Sequence, residues 1–408
     1  MDSSNSHKCG IIKRVTCSRT YIYIFQCLFS SLLIVLFTGC SSSSGEDGGG
    51  DGPVHKPTLL TIYVYAPEQA AVKRNAAQTR ADVGEVDPIT NEGTIKSLQL
   101  WVYESETGNY VGYFSTDDVT ALNNGQGTTY QIPVTDAFAA AKPYVNVYVM
   151  ANVTSANCGV ETLNKETKRA QLLDGAKITT GHFGLEQNTR TVPDDGLPFA
   201  GMLTGQPVVG DAPTLRVGTL SAVSTVQLTR AVSKLRFVFA KTTGQPEVTI
   251  TSIKMNSGMI PNVEYLFQTP VSMTYNTEAK ELLIDEIDDI AETDDPTKYI
   301  YIDQEAQEYE NLINEAANKQ APEEPEVTVE GPIYLRESDK QLRGTITYKI
   351  GEGDEQTADF AMQQDGDFSR NHTWIVYAYY AGNGNLQVQS LYVKDWSTKE
   401  MNHQVYNW

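Results

Sequence analysis

The chain has 408 residues, 40% of them apolar, with 22 Tyr, 12 Phe and a formal net charge of −20. That length admits two domains and that composition can fill their cores, so most of the chain is globular. The acidic balance excludes nucleic acid and anionic membrane surfaces as partners, because both are bound through clustered Lys and Arg.

The first forty residues set the compartment. Lys8, Lys13, Arg14 and Arg19 precede an almost unbroken apolar run, Tyr21 to Phe37, which ends in Thr38-Gly39-Cys40. A basic start, an apolar stretch and small residues before a cut site predict a secretory signal peptide over 1–39. Leu36-Phe37-Thr38-Gly39-Cys40 resembles a bacterial lipobox, which implies that Cys40 becomes the lipidated (palmitate-bearing) mature N-terminus at the outer membrane. The alternative is an uncleaved anchor, since about 17 apolar residues is near the lower limit for spanning a bilayer. Residues 40–56, with SSSSGEDGGGDGP, are a flexible tether. Loss of 1–39 removes Cys9, Cys17 and Cys27 and leaves Cys40 and Cys158, so no internal disulfide, no Cys/His metal cluster and no cofactor is expected.

Beyond the tether, period-2 alternation dominates. LLTIYVYA puts Leu60, Ile62, Val64 and Ala66 on one face of a strand at 59–66. Residues 65–93 then lack an apolar pattern and carry Lys73, Arg74 and Arg80. In IKSLQLWVYES, Leu98, Leu100 and Val102 face a core, while Trp101 and Tyr103 stand on the other face as aromatics that read first as cross-strand or inter-subunit contacts and second as platforms for sugars. YVNVYVMANV, KLRFVFA, EVTITSIKM, GTITYKI, HTWIVYAYY and NLQVQSLYVKDW continue the series, and Gly382-Asn383-Gly384 predicts a hairpin. Short helices are expected at Thr135–Ala141 and Thr162–Leu173. Such a pattern predicts an all-β chain of β-sandwiches with few short helices, divided near Val226 into domains at 57–226 and 227–408. The acidic stretch 278–330 is expected to be a solvated insertion with one amphipathic helix, Glu305–Lys319, marked by Tyr309, Leu312 and Ile313. Its Asp285, Glu286, Asp288 and Asp289 supply calcium-type oxygens but lack the spacing and central Gly of an EF-hand loop.

No enzyme motif is present: G-x-S-x-G, the phosphate-loop pattern and H-E-x-x-H are all missing. The five histidines are dispersed; His372 reads as a hydrogen-bonded turn residue and Cys158 as inert. Three classes remain: an assembly subunit, a surface glycan-binding lipoprotein and a hydrolase without a recognisable signature.

Several local motifs then converge in order. They are the lipobox, the first alternating strand, Gln78-Thr79-Arg80-Ala81, IKSLQLWVYES, Val147-Tyr148-Val149-Met150-Ala151-Asn152, Leu197-Pro198-Phe199-Ala200-Gly201-Met202 and Leu228-Thr229-Arg230-Ala231-Val232-Ser233-Lys234. Tyr334-Leu335-Arg336-Glu337-Ser338 and Arg370-Asn371-His372 complete the set. Together they resemble the fimbrillin family, the type V pilins and anchor proteins of Gram-negative anaerobes. The resemblance implies two tandem transthyretin-like β-sandwich domains and a non-enzymatic role in adhesion as a pilus subunit. It implies an outer-membrane lipoprotein precursor that an arginine-specific protease cuts after Arg80, or after Arg74, in the segment 59–80. Removal of the first strand would vacate a groove lined where Leu60, Ile62 and Val64 had been, and a strand of the next pilin subunit would fill it. The donor would be the tail, with Val393, Trp396, Met401, Val405, Tyr406 and Trp408, centred on 397–408. The partners so implied are other subunits, the protease, the outer membrane and a host or bacterial surface ligand. A lipid-retaining anchor or a tip subunit is the alternative within the family.

Overall fold

The computed structural model describes residues 56–66, 91–269, 272–300, 306–319, 323–362 and 368–393. The first part of the chain forms strands β1 (Thr58–Tyr65), β2 (Leu98–Glu104), β3 (Tyr110–Thr116), β4 (Thr128–Val134), β5 (Val145–Ala151) and β6 (Lys177–Ile178). It continues with β7 (Phe199–Gln206), β8 (Val208–Asp211), β9 (Thr214–Val217), β10 (Thr225–Gln227) and β11 (Thr229–Arg230). One sheet has β1 at its centre, with β4 on one side and β9, β10 and β8 on the other; the facing sheet runs β11-β7-β5-β2-β3. Leu60, Ile62 and Val64 from the first sheet and Leu98, Leu100, Val147 and Val149 from the second share one core. The predicted alternation is therefore what closes this sandwich.

The second part forms β12 (Ser233–Thr242), β13 (Val248–Met255), β14 (Glu264–Tyr265), β15 (Lys280–Glu281), β16 (Glu292–Thr293) and β17 (Thr328–Leu335). Then follow β18 (Arg343–Ile350), β19 (Gln356–Ala361), β20 (Thr373–Tyr380) and β21 (Gln387–Val393). The sheet β16-β12-β20-β21, with β17 also on β12, faces the sheet β15-β13-β18-β19. Leu235, Phe237, Phe239, Trp374 and Val376 meet Ile250, Ile253, Ile346 and Phe360 in its core. The Gly382-Asn383-Gly384 hairpin joins β20 to β21, which pair antiparallel.

Helices are short: α1 (Thr120–Asn123), α2 (Asp136–Ala141), α3 (Ser155–Cys158), α4 (Arg169–Gly175) and α5 (Ala306–Ala317). Thr135 caps α2, accepting a hydrogen bond from the Phe138 amide at 3.2 Å. The helix expected at Thr162–Leu173 is only α4; residues 162–168 instead lie as loop over the sheet. No helix among the described residues is long and apolar enough to cross a membrane.

Two expectations are corrected. The acidic insertion is not simply solvated. Helix α5 buries Tyr309, Ile313 and Ala316 against Val238, Ala240, Ile375 and Tyr377, forming a third layer on the outer face of the β12/β20 sheet. An amphipathic helix with three apolar residues on one stripe finds apolar side chains on that sheet face, and both lose water by packing. Trp101 and Tyr103 are not exposed sugar platforms either; both are fully buried and make cross-strand ring contacts, Trp101 with Tyr113 and Tyr103 with Tyr110. Residues 163–167 cover them, with the Trp101 indole donating to the Asn164 carbonyl at 2.9 Å and the Tyr103 hydroxyl to Thr167 at 2.6 Å.

Candidate functional site

The first strand is the candidate site. β1 pairs antiparallel with β4 from Thr58↔Val134 to Val64↔Thr128. On its other side its first half runs parallel to β9 (Leu59↔Thr214 to Thr61↔Arg216) and its second half parallel to β10 (Tyr63↔Thr225 to Tyr65↔Gln227). Its inward residues are Thr58, Leu60, Ile62, Val64 and Ala66, all at most 5% exposed. Small residues thus bracket three branched ones. Ile132 and Tyr130 wall the slot on the β4 side, and Leu215 and Val226 on the other. On the outer face the Tyr63 ring lies over Gly127, where a Cβ would sit 1.7 Å from its hydroxyl, so any larger residue there would make the ring shift.

Both flanks of the segment 67–90 are held by one short stretch. The Leu228 amide donates to the Tyr65 carbonyl at 2.8 Å, closing the end of β1. Two residues on, Arg230 Nε donates to the Glu92 carbonyl at 3.1 Å. Glu92 is itself buried and accepts from the Tyr334 hydroxyl at 2.7 Å while pairing with Lys234 at 3.2 Å. Lys234 also pairs with Glu310 of α5 at 3.0 Å, and Arg236 donates to Asn314 on the same helix at 3.0 Å. One buried ion cluster therefore joins the residue after the 67–90 segment, the opening strand of the second sandwich and the insertion helix. Burial pushes the Glu310 carboxyl up, but Lys234 and Arg236 outweigh it and hold it below the usual range. Burial lowers the Arg230 guanidinium to about 10.

A second junction lies nearby. Arg336, buried at the end of β17, donates to the carbonyls of Thr179 and His182 at 2.9 and 2.7 Å, and β14 pairs with β6. A cavity of about 380 Å³ beside it is lined by Met202, Glu264, Leu266, Phe267, Glu337 and Arg370. Burial, and then the Glu337 charge, push the Glu264 carboxyl up to about 8. Among the described residues no group of three or more His, Cys, Asp or Glu is placed to hold a metal ion, and Asp289 of the acidic run is paired with Lys241 at 2.7 Å. Cys158 is buried, and burial raises its thiol far above the reactive range. His372 Nδ1 lies 2.7 Å from the Arg370 carbonyl in a turn.

Of the residues singled out in the sequence, Leu60, Ile62 and Val64 share the inward face of β1. Val393 is the last residue of β21 and pairs with Thr373. Cys40, Arg74, Arg80, Trp396, Met401, Val405, Tyr406 and Trp408 lie outside the described residues. The model of the family described as major fimbrial subunit protein (FimA) matches residues 60–230. This stretch is similar to the major fimbrial subunit (FimA) family. The matched span begins inside β1 and ends at Arg230, so it includes most of β1 and the stretch that holds the flanks of 67–90. The tip fimbrial protein Mfa3 of Porphyromonas gingivalis, with a C-terminal truncation, is 10% identical, covering 84% of this chain and all of its own, with a TM-score of 0.47. A fimbrial assembly protein of Parabacteroides distasonis is 10% identical, covering 83% of this chain and 96% of its own, with a TM-score of 0.42. No curated protein matches the chain.

The Glu92–Lys234–Glu310 cluster was not foreseen from the sequence. Its one sequence signal is Arg230, Lys234 and Arg236 within a strongly apolar alternating run, where charge belongs only if a partner waits on the covered face.

Proposed function

We propose that the chain is a structural fimbrial subunit of the cell surface, made as a lipoprotein precursor through Cys40 and assembled by strand exchange. In this reading an arginine-specific protease cuts after Arg80, with Arg74 the second choice. The cut frees β1, and a strand from another subunit takes its place. The observation that carries the reading is the position of β1. It is the central strand of its sheet, yet its only onward covalent link is the segment 67–90, whose flanks stay fixed by Leu228 and Arg230. Cutting that segment turns an intramolecular strand into a bound peptide without touching another core contact, which is the requirement for exchange by β-strand addition.

The two sandwiches act as domains at 57–226 and 227–408. The outgoing donor comes from the tail with Trp396, Met401, Val405, Tyr406 and Trp408; Val393 already serves its own sheet, so the donor starts after it. A retained lipid and first strand would make the subunit an anchor, and a tip position is the other family alternative. Burial of Trp101 and Tyr103 removes the feature that favoured glycan binding.

Limited trypsin digestion of the folded protein tests the cut. One resistant product beginning at Ala81 is expected, and Arg80→Ala should leave the chain folded while moving or abolishing that product. Resistance of 67–90 in the wild type, or cleavage elsewhere first, refutes the reading. The N-terminal residue of the protein recovered from cell surfaces separates polymerised subunit (near Ala81) from anchor (Cys40).

A further inference from the structure

The slot's shape specifies its occupant. Any strand replacing β1 must present inward side chains at five alternate positions matching Thr58, Leu60, Ile62, Val64 and Ala66, and the middle three are wholly shut off from water. A polar or ionisable group in those three positions would lose most of its hydration, because Ile132, Leu215 and Val226 offer nothing in return and the facing Tyr130 and Thr128 offer one hydroxyl each.

Residues 394–408, KDWSTKEMNHQVYNW, offer two sets of alternating side chains. One is Trp396, Thr398, Glu400, Asn402, Gln404, Tyr406 and Trp408; every three consecutive members include a polar group, and most include two. The other holds the best register, in which Lys399, Met401, His403, Val405 and Asn407 would enter the Thr58, Leu60, Ile62, Val64 and Ala66 positions. Met401 and Val405 fit. His403 falls at the fully buried Ile62 position, where the facing Tyr130 hydroxyl can meet one ring nitrogen and the other is left without a partner, while Lys399 and Asn407 replace the small end residues. Extending the comparison back through β21 gives no run of three apolar alternates either, since Ser390 and Asp395 interrupt both sets.

Resting on the strand-exchange reading above, we propose that the slot of β1 takes an extended segment of a different protein and rejects residues 394–408 of a second copy of this chain. That segment carries three consecutive inward Leu-, Ile- or Val-sized side chains between two small ones. The subunit then joins a fibre only through unlike neighbours: what it accepts and what it donates differ in sequence. Mispairing between copies is suppressed by unpaired polar groups rather than by a clash.

The test uses the full chain cut with trypsin and three labelled peptides. They are residues 58–66, residues 394–408, and residues 394–408 with Lys399→Thr, His403→Ile and Asn407→Ala. The first and third are expected to exchange into the cut protein. The second should bind about 100-fold more weakly, as for a buried polar group left without a partner. Light scattering should show the cut protein remaining monomeric, and the same three substitutions placed in the chain should make it self-associate. Binding of the unsubstituted tail peptide within tenfold of residues 58–66, or homopolymers of the cut wild type, overturns the inference while leaving strand exchange standing. Failure of the substituted tail when residues 58–66 bind overturns the slot rule. Failure of residues 58–66 to enter the cut protein refutes strand exchange itself, and the inference with it.

Discussion

Replacing Lys234 with Met keeps the length and apolar stem of the side chain but removes its ammonium from between two carboxylates. The ammonium lies 3.0 Å from Glu310 and 3.2 Å from Glu92, and the residue is 3% exposed. Deleting one member of a buried ion pair typically costs about 3–5 kcal/mol, because the surviving charge is left desolvated. Here two carboxylates survive, but Tyr334 still donates to Glu92 and Arg236 still lies near Glu310, so a loss of about 4 kcal/mol is reasonable. Urea unfolding followed by tryptophan fluorescence reads it, since Trp374 stands in the second core. With a slope of about 3 kcal/mol per molar urea, the midpoint should fall by about 1.3 M. Neutralising all three groups together (Lys234→Met, Glu92→Gln, Glu310→Gln) should recover only part of that, because the buried Arg230 and Arg236 guanidiniums then lose the carboxylates beside them. A Lys234→Met midpoint within about 0.2 M of wild type, an amount within ordinary extrapolation error, would refute the view that this cluster stabilises the junction.

Further outcomes concern the strand and the second junction. Ile62→Ala should destabilise the uncut protein by about 2–5 kcal/mol, and after cutting should speed the release of β1, seen as faster exchange of a labelled 58–66 peptide. Glu264 titrates near 8 in the fold against about 4.3 when unfolded, so the folded state holds its proton more tightly. Its contribution is therefore fully present below about pH 4 and is lost as pH rises toward 8; Glu264→Gln should flatten the decline of urea midpoint between pH 5 and 8, and an unchanged slope would contradict the assignment. Ile313→Asp should lift α5 from the β12/β20 face, raising hydrogen exchange over 306–317 while leaving β1 protected.

Much of the fold was legible because burial on one face leaves a period of two in the chain. LLTIYVYA shows this most clearly: its burial alternates at every residue from Thr58 to Tyr65. Legibility fails where both faces are covered. In β12 all residues but the last are buried, since Leu235, Phe237 and Phe239 fill the sandwich while Val238 and Ala240 meet α5. Trp101 and Tyr103 mislead for the same reason, because the loop that covers them lies more than 60 residues away in sequence and no local pattern announces it. The slot residues were readable from alternation alone. The partners of Glu92 were not, since Lys234 and Tyr334 are 142 and 242 residues distant.

Those separations bear on how the protein is built. The chain emerges from its N-terminus, and residues up to Val232 carry most of the first core, so that sandwich can begin to close before Lys234 has appeared. Glu92 must then wait as a hydrated carboxylate, and Arg230 can hold only its carbonyl. Lys234, Glu310 and Tyr334 complete the cluster when the second sandwich and its helix collapse. Closure over long sequence distances is slow. The clasp at Glu92 is therefore completed only after the first sandwich has begun to close.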